Sequence, residues 1–174
     1  MKPANLLLFA VLPLLLSACG SSNPPVSAKK RPSAHTASAV KPVRIRHIDQ
    51  HSGGQELMLH AMDLVGTPYR WGGSSDSGFD CSGMIQFVYK NALNVNLPRT
   101  SRDMAAASRN IGKKQLKTGD LVFFNTSGKG ISHVGLYLGN GDFLHAPRSG
   151  SSVKTEKLDH PYYAKRFVKA GSFF

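Results

Sequence analysis

Apolar residues return along the chain with two different rhythms, and the change between them divides it. Over residues 56–65, Leu57, Ala61, Leu64 and Val65 fall on one helical face, which predicts a short amphipathic helix ended by Gly66 with Pro68 beyond it. Met84, Ile85 and Val88 recur at helical spacing, so a second helix is expected to start at Cys81, capped by Asp80, and to end around Lys90 to Asn94. Pro98 interrupts the chain. Thr100, with Asp103 three residues on, resembles a capping box and predicts a helix through Ala107. Past Gly119 the rhythm changes. Leu121–Phe124 is a continuous apolar run of strand length, 133–138 reads as the next strand, and 139–142 is a hairpin-type connection into 143–146. Residues 153–157 and 167–170 predict further strands. A helical first half packed on an antiparallel sheet from the second half is an α+β domain.

Ahead of this domain the pattern is of another kind. Lys2, the apolar run 6–16 and the small residues Ser17 and Ala18 before Cys19 have the form of a secretory signal, and the run is too short to span a bilayer. Leu16-Ser17-Ala18-Cys19-Gly20 resembles the cleavage and lipidation box of bacterial lipoproteins. That resemblance implies a signal peptide at 1–18 and a mature chain that begins at acylated Cys19. Gly20, not Asp, follows the cysteine, so attachment is expected at the outer membrane, facing the periplasm. A plain secreted protein cut after Ala18 is the alternative. Residues 20–55 are rich in Ser, Pro, Ala, His and Gly, and they lack the apolar area needed to offset their ordering entropy. The expected organisation is therefore a lipidated N-terminus and flexible basic linker at 19–55, followed by one domain at 56–174.

Charge then limits the partners. The chain of 174 residues carries 22 Lys and Arg against 10 Asp and Glu, a formal +12. Seven of the basic residues precede Asp49, which leaves 15 against 10, or +5, on the remainder. A basic surface attracts polyanions. Zinc-finger spacing, an aromatic RNA-binding signature and a long basic helix are all missing from the sequence, which argues against nucleic acid. Anionic lipid headgroups or an acidic cell-wall polymer fit an exported chain better. No protein regulator is legible.

Candidate chemistry centres on Cys81. At the first turn of a helix a thiol meets unpaired N–H groups and the positive end of the dipole, so a lowered pKa and a reactive thiolate are expected. The plain alternative is a small buried hydrophobe. Because Cys19 carries the lipid in this reading, the two cysteines are expected to have separate jobs and not to form a disulfide. Five histidines lie in the linker, near a helix end or before a proline. His133 and His145 differ, since each lies in or beside an apolar strand and a tight turn joins the two strands. A thiolate needs a base, and the base needs a partner to fix its tautomer. The same three residues are also proper zinc ligands, although no fourth ligand is evident.

These blocks resemble the NlpC/P60 family of cell-wall cysteine peptidases. The match runs through Gly66-Thr67-Pro68-Tyr69-Arg70-Trp71-Gly72-Gly73, Asp80-Cys81-Ser82-Gly83, Leu97-Pro98-Arg99, Gly119-Asp120-Leu121-Val122-Phe123-Phe124, His133-Val134-Gly135-Leu136-Tyr137 and Phe143-Leu144-His145-Ala146. The resemblance implies a papain-like α+β fold, Cys81 as nucleophile, His133 as base and His145 as the orienting residue. It further implies that Tyr69 helps shape the oxyanion site. The expected reaction is hydrolysis of amide bonds in peptidoglycan stem peptides or their crosslinks, between D-γ-glutamate and diaminopimelate or D-alanine and diaminopimelate, with no metal or cofactor. A non-catalytic peptidoglycan-binding lipoprotein is the alternative from another class. Asp80 reads either as a helix cap or as a contact to a substrate amino group. Ser82 is a further possible substrate contact, and Arg99 is either a solvated loop charge or a contact to a substrate carboxylate.

Overall fold

The computed structural model describes residues 40–174. The signal-like run, Cys19 and the linker as far as residue 39 lie outside the described residues. Helix α1 (Gln50–Met62) leads into a two-stranded hairpin, β1 (Ser74–Ser75) with β2 (Gly78–Phe79), and then α2 (Cys81–Leu93) and α3 (Ser101–Ala107). The strands β3 (Arg109–Ile111), β4 (Leu121–Phe124), β5 (His133–Gly139), β6 (Asp142–His145), β7 (Lys154–Lys157) and β8 (Phe167–Ser172) follow, with α4 (Pro161–Ala164) before β8. Six strands form one antiparallel sheet in the order β3-β8-β4-β5-β6-β7. The architecture is the expected α+β one.

The sheet is buried on both faces around its centre. Leu121 and Phe123 of β4 join the core under α1 and α2, whereas Val122 and Phe124 pack on the other side against Phe143, Leu158 and Tyr163. That double burial explains why β4 is a continuous apolar run and not an alternating one. Tyr89 of α2 is fully buried, donates its hydroxyl to the Gly119 carbonyl at 2.5 Å, and meets Phe173 edge-on at 5.7 Å between ring centres.

The first helix departs from expectation. It begins at Gln50, not Glu56, and ends at Met62, not Val65, with Asp49 as N-cap accepting from the Ser52 N–H. Ser52, Gly53 and Gly54, which read as linker composition, lie inside it. The reason is close packing, because a Cβ on Gly54 would overlap the Thr118 carbonyl. Ahead of α1 the chain is also attached to the domain. Val43 and Ile45 donate backbone hydrogen bonds to Ala107 at 3.2 Å and Phe173 at 2.6 Å, and Ile45 is buried. The expected flexible linker is therefore corrected for residues 40–55, which belong to the folded unit. Among the described residues no helix is long and apolar enough to cross a membrane.

Candidate active site

Helix α2 starts where the chain leaves a tight turn. Asp80, in extended backbone geometry, caps it by accepting from the Gly83 N–H at 2.7 Å. Gly83 lies so close to the preceding turn that a Cβ there would overlap the Gly73 carbonyl. The absence of a side chain thus lets the turn carrying Tyr69 and Trp71 close over the helix start. Cys81 follows in the first turn, half-buried.

The opposite wall comes from the sheet. His133 opens β5 and His145 closes β6, and both are buried. Extending the Leu136–Leu144 register places His145 opposite Gly135, so His133 is its diagonal neighbour on the same face. With no side chain at Gly135 between them, His133 Nε2 and His145 Nδ1 meet at 2.8 Å. His145 is held edge-on against Phe143 and Tyr163, with ring centres 4.9 and 5.2 Å away. Its Nε2 is buried with no hydrogen-bond partner among the described residues. For His133 to serve as a base through Nδ1, its Nε2–H must donate to His145 Nδ1. The proton of His145 then sits on Nε2, among aromatic rings.

Electrostatics corrects the expectation of a ready thiolate. Burial pushes the Cys81 thiol up, and the Asp80 carboxylate adds to this, against the N–H groups of Val134, Ser82 and Cys81 itself. Burial also depresses His133 to about 4. His145 is depressed to about 2 by burial and by the neighbouring His133 and Lys154. At neutral pH the resting pair is thus a thiol and a neutral imidazole. The helix start favours a thiolate, but desolvation and the capping carboxylate outweigh it.

Asp80 has a further partner that sequence reading did not supply. Arg99 Nη1 donates to Asp80 Oδ1 at 2.9 Å, and Arg99 Nη2 donates to Oδ2 at 2.5 Å. Nη1 also donates to Ser82 Oγ at 2.9 Å. Burial raises the Asp80 carboxyl, yet the Arg99 guanidinium and the Gly83 N–H together hold it below its ordinary value. Two anchors deliver Arg99 to this place. Gln86 of α2 donates its side-chain amide to the Leu97 carbonyl at 2.7 Å, and Thr100 caps α3 by accepting from the Asp103 N–H. Tyr69 lies within electrostatic range of Cys81, Asp80 and Arg99, and its phenol is raised by burial first and then by Cys81 and Asp80.

Tyr69, Trp71, Cys81, Arg99, His133 and Arg148 line one groove of about 780 Å³. It continues past His133, Pro147 and Arg148 into a second hollow of about 570 Å³ beside Tyr162 and Tyr163. Trp71 is 86% exposed on its rim. Arg148 was not among the residues named from the sequence; its only signal is its place directly after the His145 strand. Among the described residues no group of three or more His, Cys, Asp or Glu is placed to hold a metal ion, Cys81, His133 and His145 included. The ring nitrogens that face each other are occupied by their mutual hydrogen bond.

The sequence model described as the NlpC/P60 family matches residues 66–172, which include the whole groove wall from Tyr69 to Arg148. The chain belongs to the NlpC/P60 family. Among its relatives, Murein DD-endopeptidase MepH of Escherichia coli (strain K12) is 43% identical over 117 residues, covering 65% of this chain and 43% of that protein. Murein DD-endopeptidase MepS/Murein LD-carboxypeptidase of the same organism is 36% identical over 126 residues, covering 72% of this chain and 64% of that protein. The chain thus spans between 43% and 64% of the length of these relatives. Among solved structures, the NlpC/P60 domain of peptidoglycan hydrolase SagA superposes with a TM-score of 0.61 at 36% identity, covering 68% of this chain and 97% of that one. An NlpC/P60 family protein from Bacillus cereus gives 0.66 at 34% identity, covering 69% and 40%.

Proposed function

We propose that this NlpC/P60 chain is a cysteine endopeptidase that hydrolyses amide bonds in peptidoglycan stem peptides or their crosslinks. The observation that carries the reading is the buried His133–His145 pair, whose His133 lines one groove with the thiol at the start of α2. As the Cys81 sulfur attacks the amide carbonyl, His133 Nδ1 takes the thiol proton. The imidazolium so formed is held by its Nε2–H bond to His145 Nδ1. Backbone N–H groups at the helix start, aided by the Tyr69 hydroxyl, stabilise the oxyanion. His133 returns the proton to the leaving amine, and water activated by the same imidazole then releases the acyl-enzyme. An extended groove suits a substrate that is part of a polymer.

Two relatives are named murein endopeptidases, which supports peptidoglycan as the substrate. Acylation of Cys19, with attachment to the periplasmic face of the outer membrane, is part of the same proposal and rests on the signal-like run and the box around Cys19. Mass spectrometry tests both. Purified muropeptides incubated with the protein are expected to yield shorter peptides or separated crosslinks, and Cys81→Ala is expected to yield none. Unchanged muropeptides with folded wild-type protein would favour a wall-binding role instead. A mature N-terminus without lipid would remove the anchoring part.

A further inference from the structure

Asp80 has no capacity left for a substrate. Its Oδ1 accepts from the Gly83 N–H, Ser82 Oγ and Arg99 Nη1, and its Oδ2 accepts from the Gly72 N–H and Arg99 Nη2. A substrate ammonium approaching the helix start would find this carboxylate engaged and its charge offset by the guanidinium. The available charge at this end of the groove therefore belongs to Arg99. A guanidinium has five N–H groups arranged along edges that fit a carboxylate. Asp80 takes the edge formed by Nη1 and Nη2, and Ser82 takes the remaining Nη1 hydrogen. The other edge carries Nε–H and the second Nη2–H, and neither has a protein acceptor among the described residues. The side chain is 40% exposed and lines the groove with Cys81.

We infer that Arg99 is a specificity-determining residue whose free Nε/Nη2 edge binds a carboxylate on the acyl side of the scissile bond, with Asp80 and Ser82 fixing the guanidinium in place. The inference rests on the peptidase reading above. The leaving amine has to meet His133, which protonates it. Arg99 is fastened instead to Asp80 and Ser82, the residues flanking the nucleophile on its own helix. The part of the substrate nearest to it is thus the part that stays on Cys81 as the acyl group. A carboxylate there makes two charge-assisted hydrogen bonds to a fork that is already ordered, so little side-chain entropy is lost on binding. A carboxamide in the same place offers one oxygen and turns an N–H₂ group against the guanidinium.

The test uses the full chain and a set of synthetic stem peptides and crosslinked stem-peptide dimers in which each carboxylate on the acyl side is replaced, one at a time, by carboxamide. For wild type, one of these replacements is expected to lower kcat/KM by about ten- to a hundredfold, the range of a charged hydrogen-bond pair. In Arg99→Gln the same replacement is expected to change kcat/KM by less than about threefold, because the discriminating edge is gone; Arg99→Lys, a point charge without the fork, should fall between. Wild type indifferent to every amidation overturns the inference without needing any variant. So does an Arg99→Gln protein that is slower on all substrates while keeping the wild-type ratio, since Arg99 would then only brace Asp80. Wild type that cleaves no member of the set overturns the peptidase reading itself, and that outcome is separate from a loss of discrimination.

Discussion

A thiol that stays protonated in the resting groove needs its base to remain neutral, and burial arranges this for His133. Depressed to about 4, the imidazole is a free base throughout the range in which an ordinary histidine would already be charged. The sign follows directly. On the proposed mechanism, lowering pH protonates His133 and removes the base, so kcat/KM is expected to hold between pH 8 and about 5 and to fall through about 4. An acid limb near 6.5 in folded protein would show that the working imidazole is solvated. His145→Asn keeps a side-chain oxygen that can accept from His133 Nε2–H but removes a ring from the contact with Phe143 and Tyr163, which admits water. This variant is expected to move the acid limb upward as well as to slow turnover, a shift that a packing defect alone would not produce. Tyr69, Asp80, Cys81, Ser82, Arg99 and His133 line one groove, with His145 hydrogen-bonded to His133, and Cys81 and the two histidines owe their places to something local: a helix start for Cys81 and strand ends for the histidines. Arg99 was ambiguous, since its partner Asp80 lies 19 positions away and only folding joins them. Thiol protonation was misread for the same reason. Helix position is visible in a sequence, while desolvation is not.

Helix α1 shows how an element can be hidden by its own packing. Glycine costs about 1 kcal/mol relative to alanine in a helix, so Gly53 and Gly54 argue against a helix where one exists. By propensity alone Gly54→Ala should stabilise the protein. The Thr118 carbonyl occupies the space of the new methyl, however, and forcing groups into a packed interior costs about 1–3 kcal/mol. The expected outcome is a net loss of stability in urea denaturation, with a lower midpoint at unchanged slope. A raised midpoint would mean that α1 can shift off the sheet at no cost. Elements with strong internal signals were legible. The bounds Leu121–Phe124 were read from a run with no polar interruption, and α3 from its Thr100–Asp103 cap. Strand β3, of three residues, and α4, of four, were not. Segments that short contain little more than one period, too few positions to show a pattern, and their conformation is set by β8 and by the Pro161 turn.

At the scale of the whole molecule, the α+β class was accessible because the change of rhythm near Gly119 coincides with the change from helical layer to sheet. Strand order was not accessible. The sheet runs β3-β8-β4-β5-β6-β7, so residues 167–172 fill the gap between two strands made some fifty residues earlier. Phe173, fully buried against Tyr89, closes the core from the same end. During synthesis, then, Cys81, His133 and His145 all emerge from the ribosome before the segment that lets the sheet close. Until residues 167–173 appear, β3 and β4 each present an unpaired edge, and the His133–His145 pair stands on four strands of the six. A chain stopped after Arg166 is expected to show no cooperative thermal transition by circular dichroism, although it retains Cys81, His133 and His145. If it melted cooperatively, β8 would be dispensable. On that expectation the order of manufacture works as a safeguard, because a nascent fragment that carries Cys81 and His133 but not yet β8 would not hold them in a fixed geometry.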